Sequence, residues 1–119
     1  MVNDVIARLE EGSIKSVALF ADSMKVPAPP CVIVKPEAGV RSGTRSFRII
    51  VRHAIGKFDA LEAYALGELD RLLLGGFDGK SGRRYMMYRS GFGDVAPDPG
   101  GNCIYMERIF CAPMPGLAN

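Results

Sequence analysis

Apolar and polar positions change rhythm along this chain, and each change marks an element. Val5, Ile6 and Leu9 recur at helical spacing behind Asn3 and Asp4, either of which suits an N-cap, and the run stops near Gly12. The pattern predicts a short amphipathic helix from Asn3 or Asp4 to about Glu11. The next apolar run, IKSVALF, fits a helix or a strand equally well. Beyond it, Pro27, Pro29 and Pro30 in ADSMKVPAPP dictate an extended connection, because proline fixes its own φ and keeps the preceding residue out of the helical region.

The β-branched run CVIVKP and the longer RSFRIIVRHAIG read as two strands of a hairpin joined by the Gly/Ser/Arg loop EAGVRSGT. With the period of two of a strand, Phe47, Ile49 and Val51 share one face, and Arg48, Ile50 and Arg52 share the other. FDALEAYALGELDRLLLGG is the strongest helical pattern, with Leu61, Tyr64, Ala65, Leu69, Leu72 and Leu73 forming one apolar stripe. Asp59 and Glu62 have the spacing of a capping box, and Gly75 with Gly76 supplies the stop. After the turn FDGKSGRR come two more strand candidates, YMMYR and CIYMERIFC, separated by SGFGDVAPDPGGN.

The last strand is apolar on both sides. Ile104, Met106 and Phe110 face one way with Arg108, while Cys103, Tyr105, Ile109 and Cys111 face the other with Glu107. The elements sum to an α+β fold: a small single-domain sandwich over residues 1–119, with a mostly antiparallel sheet of about four strands packed against two helices. One layer of helices covers one face of a sheet, so the second apolar face is expected to meet another copy of the protein.

Composition adds to this expectation. The 119 residues are 48% hydrophobic and 24% charged, slightly richer in apolar residues than a monomer of this size needs. The formal charge of +2 is too balanced to indicate nucleic-acid binding by itself. Arg41, Arg45, Arg48 and Arg52, with Lys80, Arg83 and Arg84, nevertheless gather in or beside two loops, where they suit phosphates or an acidic neighbouring subunit.

Candidate chemistry is sparse. Cys31, Cys103 and Cys111 lie in apolar runs without metal-ligand spacing, so neither a disulfide set nor a bound metal is expected and a reducing cytoplasm fits. The N-terminus lacks a secretory apolar core, and no apolar run approaches the length of a membrane span. His53 is the single histidine. Cys31 across the hairpin from it is the one conceivable nucleophile–base pair, and nothing in the sequence marks that pair as activated. The glycines of SGFGDVAPDPGG match neither phosphate-loop pattern and lie between strands, which is the signature of a long hairpin loop. No catalytic, cofactor or metal residue is assigned.

The order helix, Pro-rich segment, strand, long loop, strand, capped helix and two strands, together with RIIVRHAIGKFDALEAYA, LDRLLLG and the turn-plus-strand DVAPDPGGNCIYMERIFCAP, resembles the tail-terminator and tail-completion proteins of tailed bacteriophages. That group shades into neck and minor capsid proteins of the same fold. The resemblance implies a non-enzymatic virion protein, assembled in the host cytoplasm, whose sheet continues into neighbouring protomers as a ring, commonly a hexamer. Such a ring ends tail-tube polymerisation and joins the tail to the head connector, while DNA passes through its lumen without sequence-specific contact. The implied partners are further copies of the chain, the tube protein, the connector and this passing DNA, with no membrane. On physical grounds Tyr105, Ile109, Arg48 and Arg52 are expected at the ring interface. Arg41, Arg45, Lys80, Arg83 and Arg84 are expected on loops toward partners or lumen, with the hairpin tip 40–44 and the turn 79–84 projecting. The alternatives are a neck or minor capsid role, or a small cytoplasmic module binding nucleic acid or peptide.

Overall fold

Strand alternation decides the architecture. The computed structural model describes residues 1–38, 44–98 and 102–113. In chain order its elements are α1 (Val2–Leu9), β1 (Val17–Leu19), β2 (Cys31–Ala38), β3 (Thr44–Ala54), α2 (Phe58–Ala63), a π-helical turn (Tyr64–Glu68) and α3 (Leu69–Leu73). Then follow β4 (Phe77–Asp78), β5 (Arg84–Tyr85), β6 (Tyr88–Phe92), β7 (Ala96–Pro97) and β8 (Cys103–Pro113). The fold is α+β, with one six-stranded sheet ordered β1-β2-β3-β8-β6 and β7 also paired to β8. Among the described strands of this sheet, β1 alone runs parallel to its neighbour. Six strands stand where about four are expected because β1 and β7 are three and two residues long, too short to show a period.

Register confirms the two faces of the central strands. Val32, Val34, Phe47, Ile49, Val51, Ile104, Met106 and Phe110 pack with Leu61, Tyr64, Ala65, Leu69, Leu72 and Leu73 in a single core. Every residue of the expected helical stripe is buried. α1 adds Val5 and Leu9 to the same core and is tied to α3 by Arg8 Nε, which donates to the Leu72 carbonyl at 2.7 Å. Ser13 donates through its N–H and hydroxyl to Glu68 and fixes the exit from α1.

Several expected boundaries move. α1 starts at Val2 without a side-chain cap, because Asp4 is buried within it and bonds elsewhere. α2 starts at Phe58 behind Lys57, so the Asp59–Glu62 capping box does not form. Gly75 and Gly76 do end the helical run, with φ of 79° and 89°. IKSVALF supplies β1, and β2 continues through Pro36 to Ala38; Pro36 falls beyond Val34, the last residue that β1 pairs, so its missing N–H interrupts no ladder. YMMYR divides between two sheets. Tyr85 pairs with Phe77 in the β4–β5 hairpin, and Tyr88 opens β6 opposite Cys111.

One charged residue sits among the apolar side chains between sheet and helix. Arg108 is 1% exposed. Its Nη1 donates to the Ala65 carbonyl and its Nη2 to Asp70 Oδ1 at 3.1 Å, and its guanidinium lies 5.5 Å from the centre of the Phe110 ring. The π-helical turn makes this possible. Leu69 N–H donates to Tyr64, five residues back, where an α-helix would use Ala65, and the Ala65 carbonyl turns to the guanidinium. Among the described residues no helix is long and apolar enough to cross a membrane.

Removing the Arg108 side chain strands the Ala65 carbonyl and leaves Asp70 half-buried with one fewer partner. Arg108→Ala is expected to cost about 3–5 kcal/mol in urea unfolding. A loss below about 1 kcal/mol would show that the helix holds its π turn without the guanidinium.

Candidate assembly interface

The side of the sheet away from the helices carries the residues expected at a seam. Across β2, β3 and β8 it presents Cys31, Ile33, Lys35 and Glu37, then Ser46, Arg48, Ile50 and Arg52, then Cys103, Tyr105, Glu107, Ile109 and Cys111. Tyr88 of β6 lies on the same side, opposite Cys111. Tyr105, Ile109, Arg48 and Arg52 are thus brought onto one surface, all half-buried in the isolated chain.

The charges on this surface compensate one another. Arg48 bridges two strands, Nε donating to Glu37 and Nη1 to Glu107, both at 2.6 Å. These two carboxylates hold its protonated form more firmly than usual. Arg52 donates twice to Asp98 Oδ2, at 3.1 and 2.5 Å, and its Nη2 lies 2.8 Å from Cys103 Sγ. Burial opposes the Arg52 charge, yet its bonds and nearby carboxylate outweigh burial and raise its pKa. Lys35 Nζ stands 4.8 Å from the centre of the Phe20 ring. Lys35, Arg48 and Arg52 are balanced by Glu37, Glu107 and Asp98, so the surface is apolar, ion-paired and close to neutral. Phosphate binding needs uncompensated cations, and Arg48 and Arg52 do not supply them. A shallow cavity of about 200 Å³ opens here between Ile50, Arg52, Asp98, Tyr105 and Glu107.

The loop residues are dispersed. Arg45 has its register on the helical side of β3 and lines a second hollow of about 260 Å³ with Met1, Val2, Pro36 and Phe47. Lys80, Arg83 and Arg84 are exposed in or beside the β4–β5 turn, and Arg84 pairs with Asp78 at 3.1 Å. Arg41 and residues 40–43 of the expected hairpin tip lie outside the described residues. The described part of the loop SGFGDVAPDPGGN lies along the sheet: Ala96 and Pro97 pair with β8, and Asp98 reaches Arg52.

The Cys31–His53 pair is not formed. Cys31 faces Arg52, whereas His53 is opposite Ile104 on the other side of the sheet, with Nδ1 accepting from the Ala54 N–H at 3.1 Å. Burial pushes the Cys31 thiol up, the opposite of what a nucleophile needs.

The basic turn is held by Asp4, one of the two residues whose position suits an N-cap. Asp4 accepts from the Ser81 N–H at 3.2 Å, from the Ser81 hydroxyl and from the Tyr85 hydroxyl at 2.6 Å. A Cβ on Gly79 would stand 2.5 Å from the Asp4 carboxyl carbon, so the turn closes on the carboxylate only with glycine there. The bonds from Ser81 and Tyr85 outweigh burial and hold the Asp4 carboxyl below its usual range. No local motif announces this contact, which spans 77 and 81 residues.

No protein-family model matches the sequence, and no curated protein matches it.

Two measurements follow from these environments. Because the Asp4 carboxyl titrates lower in the folded chain than in the unfolded one, its stabilisation is complete at neutral pH and is lost as pH falls below about 4. Asp4→Asn should therefore lower stability at pH 7 and narrow its gap to the parent at pH 3, read by urea titration at both values; an unchanged gap would assign the acid sensitivity elsewhere. All three thiols are buried. Reaction of the folded protein with a thiol-specific disulfide reagent should be at least about a hundredfold slower than in urea, and a fast phase equal to one thiol would reveal an accessible cysteine.

Proposed function

We propose that this chain is a structural subunit of a tailed-phage virion, forming a ring at the head-proximal end of the tail tube, where it ends tube growth and links the tail to the head connector. The observation that carries the reading is the open face of the sheet. A strand order centred on β3 and β8 leaves Ile50, Tyr105 and Ile109 beside internally paired ions, and among the described residues no second helical layer covers them. Such a surface suits another protein: aromatic and aliphatic area is available, and the charges already have partners. The order of elements, from an amphipathic helix through a β-hairpin and a long helix to a final long strand, supports the same reading through the resemblance stated above.

A ring needs no catalytic group. It works by repetition, since a modest contact made by every protomer becomes a durable platform once the circle closes, and its two unlike ends can hold two different partners. A neck or minor capsid position uses the same assembly one layer away. The exposed turn bearing Lys80, Arg83 and Arg84 favours a second reading, a monomeric module that binds nucleic acid.

Light scattering across a concentration series, followed by negative-stain imaging, separates the two. Ring assembly predicts a species of about six subunits with a central hole. A monomer at every concentration that binds DNA with a steep salt dependence would replace the ring with the binding module.

A further inference from the structure

We propose that copies of this chain join head to tail, the acidic outer stripe of the helix beginning at Phe58 in one copy docking on the basic row Arg84, Met86 and Tyr88 of the next. The inference rests on the ring reading and adds, beside the open face of the sheet, a contact between neighbouring copies. Seven large apolar side chains are exposed among the described residues, and five of them fall in two clusters at these places.

The first cluster is Ile55, Phe58 and Leu66, exposed by 62%, 51% and 42%. Phe58, Glu62 and Leu66 follow one another at four-residue intervals along the outside of the helix, and the wide π turn keeps Leu66 near the line of the other two. Asp59, Glu62 and Ala63 are exposed beside them. The second cluster comes from strand alternation. Tyr85 and Met87 are buried in the core while Arg84, Met86 and Tyr88 are exposed, Met86 by 57% and Tyr88 by 49%. Tyr88 belongs to the open face of the sheet, so this row borders the surface that lacks a cover.

The two clusters have opposite charge. Residues 57–70 contain Asp59, Glu62, Glu68 and Asp70 against Lys57 alone, and residues 78–89 contain Lys80, Arg83, Arg84 and Arg89 against Asp78 alone. Some of these are used within the chain: Glu68 holds Ser13, Asp70 holds Arg89 and Arg108, and Arg84 pairs with Asp78. What turns outward is Asp59 and Glu62 beside Lys57 on one cluster, and Lys80, Arg83 and Arg84 beside Asp78 on the other. An apolar stripe with an acidic margin therefore matches an apolar row with a basic margin.

One copy cannot join its own two clusters. The stripe lies on the first half of the helix, whereas Met86 packs over Gly76 just past the helix end, roughly 20 Å further along. A two-fold contact of stripe with stripe would set Asp59 and Glu62 against their own copies, a like-charge arrangement. Head-to-tail docking satisfies both clusters in every copy and is the kind of contact that builds a ring when the rotation between neighbours closes the circle.

The test uses two variants that each lose one half of the seam, Phe58→Gln with Leu66→Gln and Met86→Gln with Tyr88→Gln. All four positions are exposed, and circular dichroism checks that both chains fold. The parent protein is expected to run above monomer mass in light scattering, and each variant alone should associate at least about tenfold more weakly. An equimolar mixture of the variants should form a one-to-one dimer that grows no further, because each variant keeps the half the other lacks. That outcome requires two different docking surfaces and cannot arise from a two-fold contact. Variants that still form rings would place the seam elsewhere and leave the ring reading standing. A mixture that stays monomeric while the parent associates would overturn the head-to-tail pairing. A parent that is monomeric at every concentration would overturn the seam together with the ring.

Discussion

The guanidinium of Arg108 joins the two layers of this fold. A buried charge is costly unless it is paired and hydrogen-bonded, and here the bonds from Nη1 and Nη2 go to the helix it faces. One nitrogen reaches a backbone carbonyl that the π turn has released from Leu69, and another reaches Asp70, which also accepts from Arg89 beside the start of β6. The central strand and the long helix are therefore joined through Arg108, and the outer strand is tied to the same carboxylate through Arg89. Hydrophobic burial is non-directional. The bonds to Ala65 and Asp70 are directional, so the outward positions of Phe58 and Leu66 take part of their precision from an interior contact.

The two sides of the sheet handle charge in different ways. On the helical side Arg108 is isolated among aliphatic and aromatic neighbours and takes its partners from another layer. On the open side Arg48 takes both of its carboxylates from strands of its own sheet, Glu37 on β2 and Glu107 on β8. Cross-strand pairs of this kind keep the open surface ordered without a covering layer, at a polarity that a protein partner can accept. The basic turn is likewise pre-shaped, because Asp4 secures Ser81 and Tyr85 and leaves Lys80 and Arg83 outside.

Features set by periodicity were legible in the sequence. The buried stripe from Leu61 to Leu73 and the alternating faces of β3 and β8 follow from spacings of 3.6 and 2, which act over many residues and survive errors at the ends. Features set by distant partners were not. Asp4 resembles a helix cap because its position near the start of an apolar run is all that sequence displays, while the residues that bind it lie near the other end of the chain. YMMYR alternates well enough to look like one strand, and only the competing partners Phe77 and Cys111 divide it. Arg48 and Arg52 counted as members of a basic group until Glu37, Glu107 and Asp98 were brought beside them.

Pro36 has a consequence for how such a molecule avoids misassembly. Past Val34 the outer side of β2 has no neighbouring strand among the described residues, and a bare edge of regular backbone invites pairing with any extended chain. A proline offers no donor at that point, and the short β1 occupies the stretch before it. The bulge between Arg89 and Gly91 distorts the backbone at the opposite margin. Indiscriminate strand-to-strand growth, the route by which exposed sheets become fibrils, is thereby discouraged at both margins, and any recognition by this sheet is left to side chains, which can be selective.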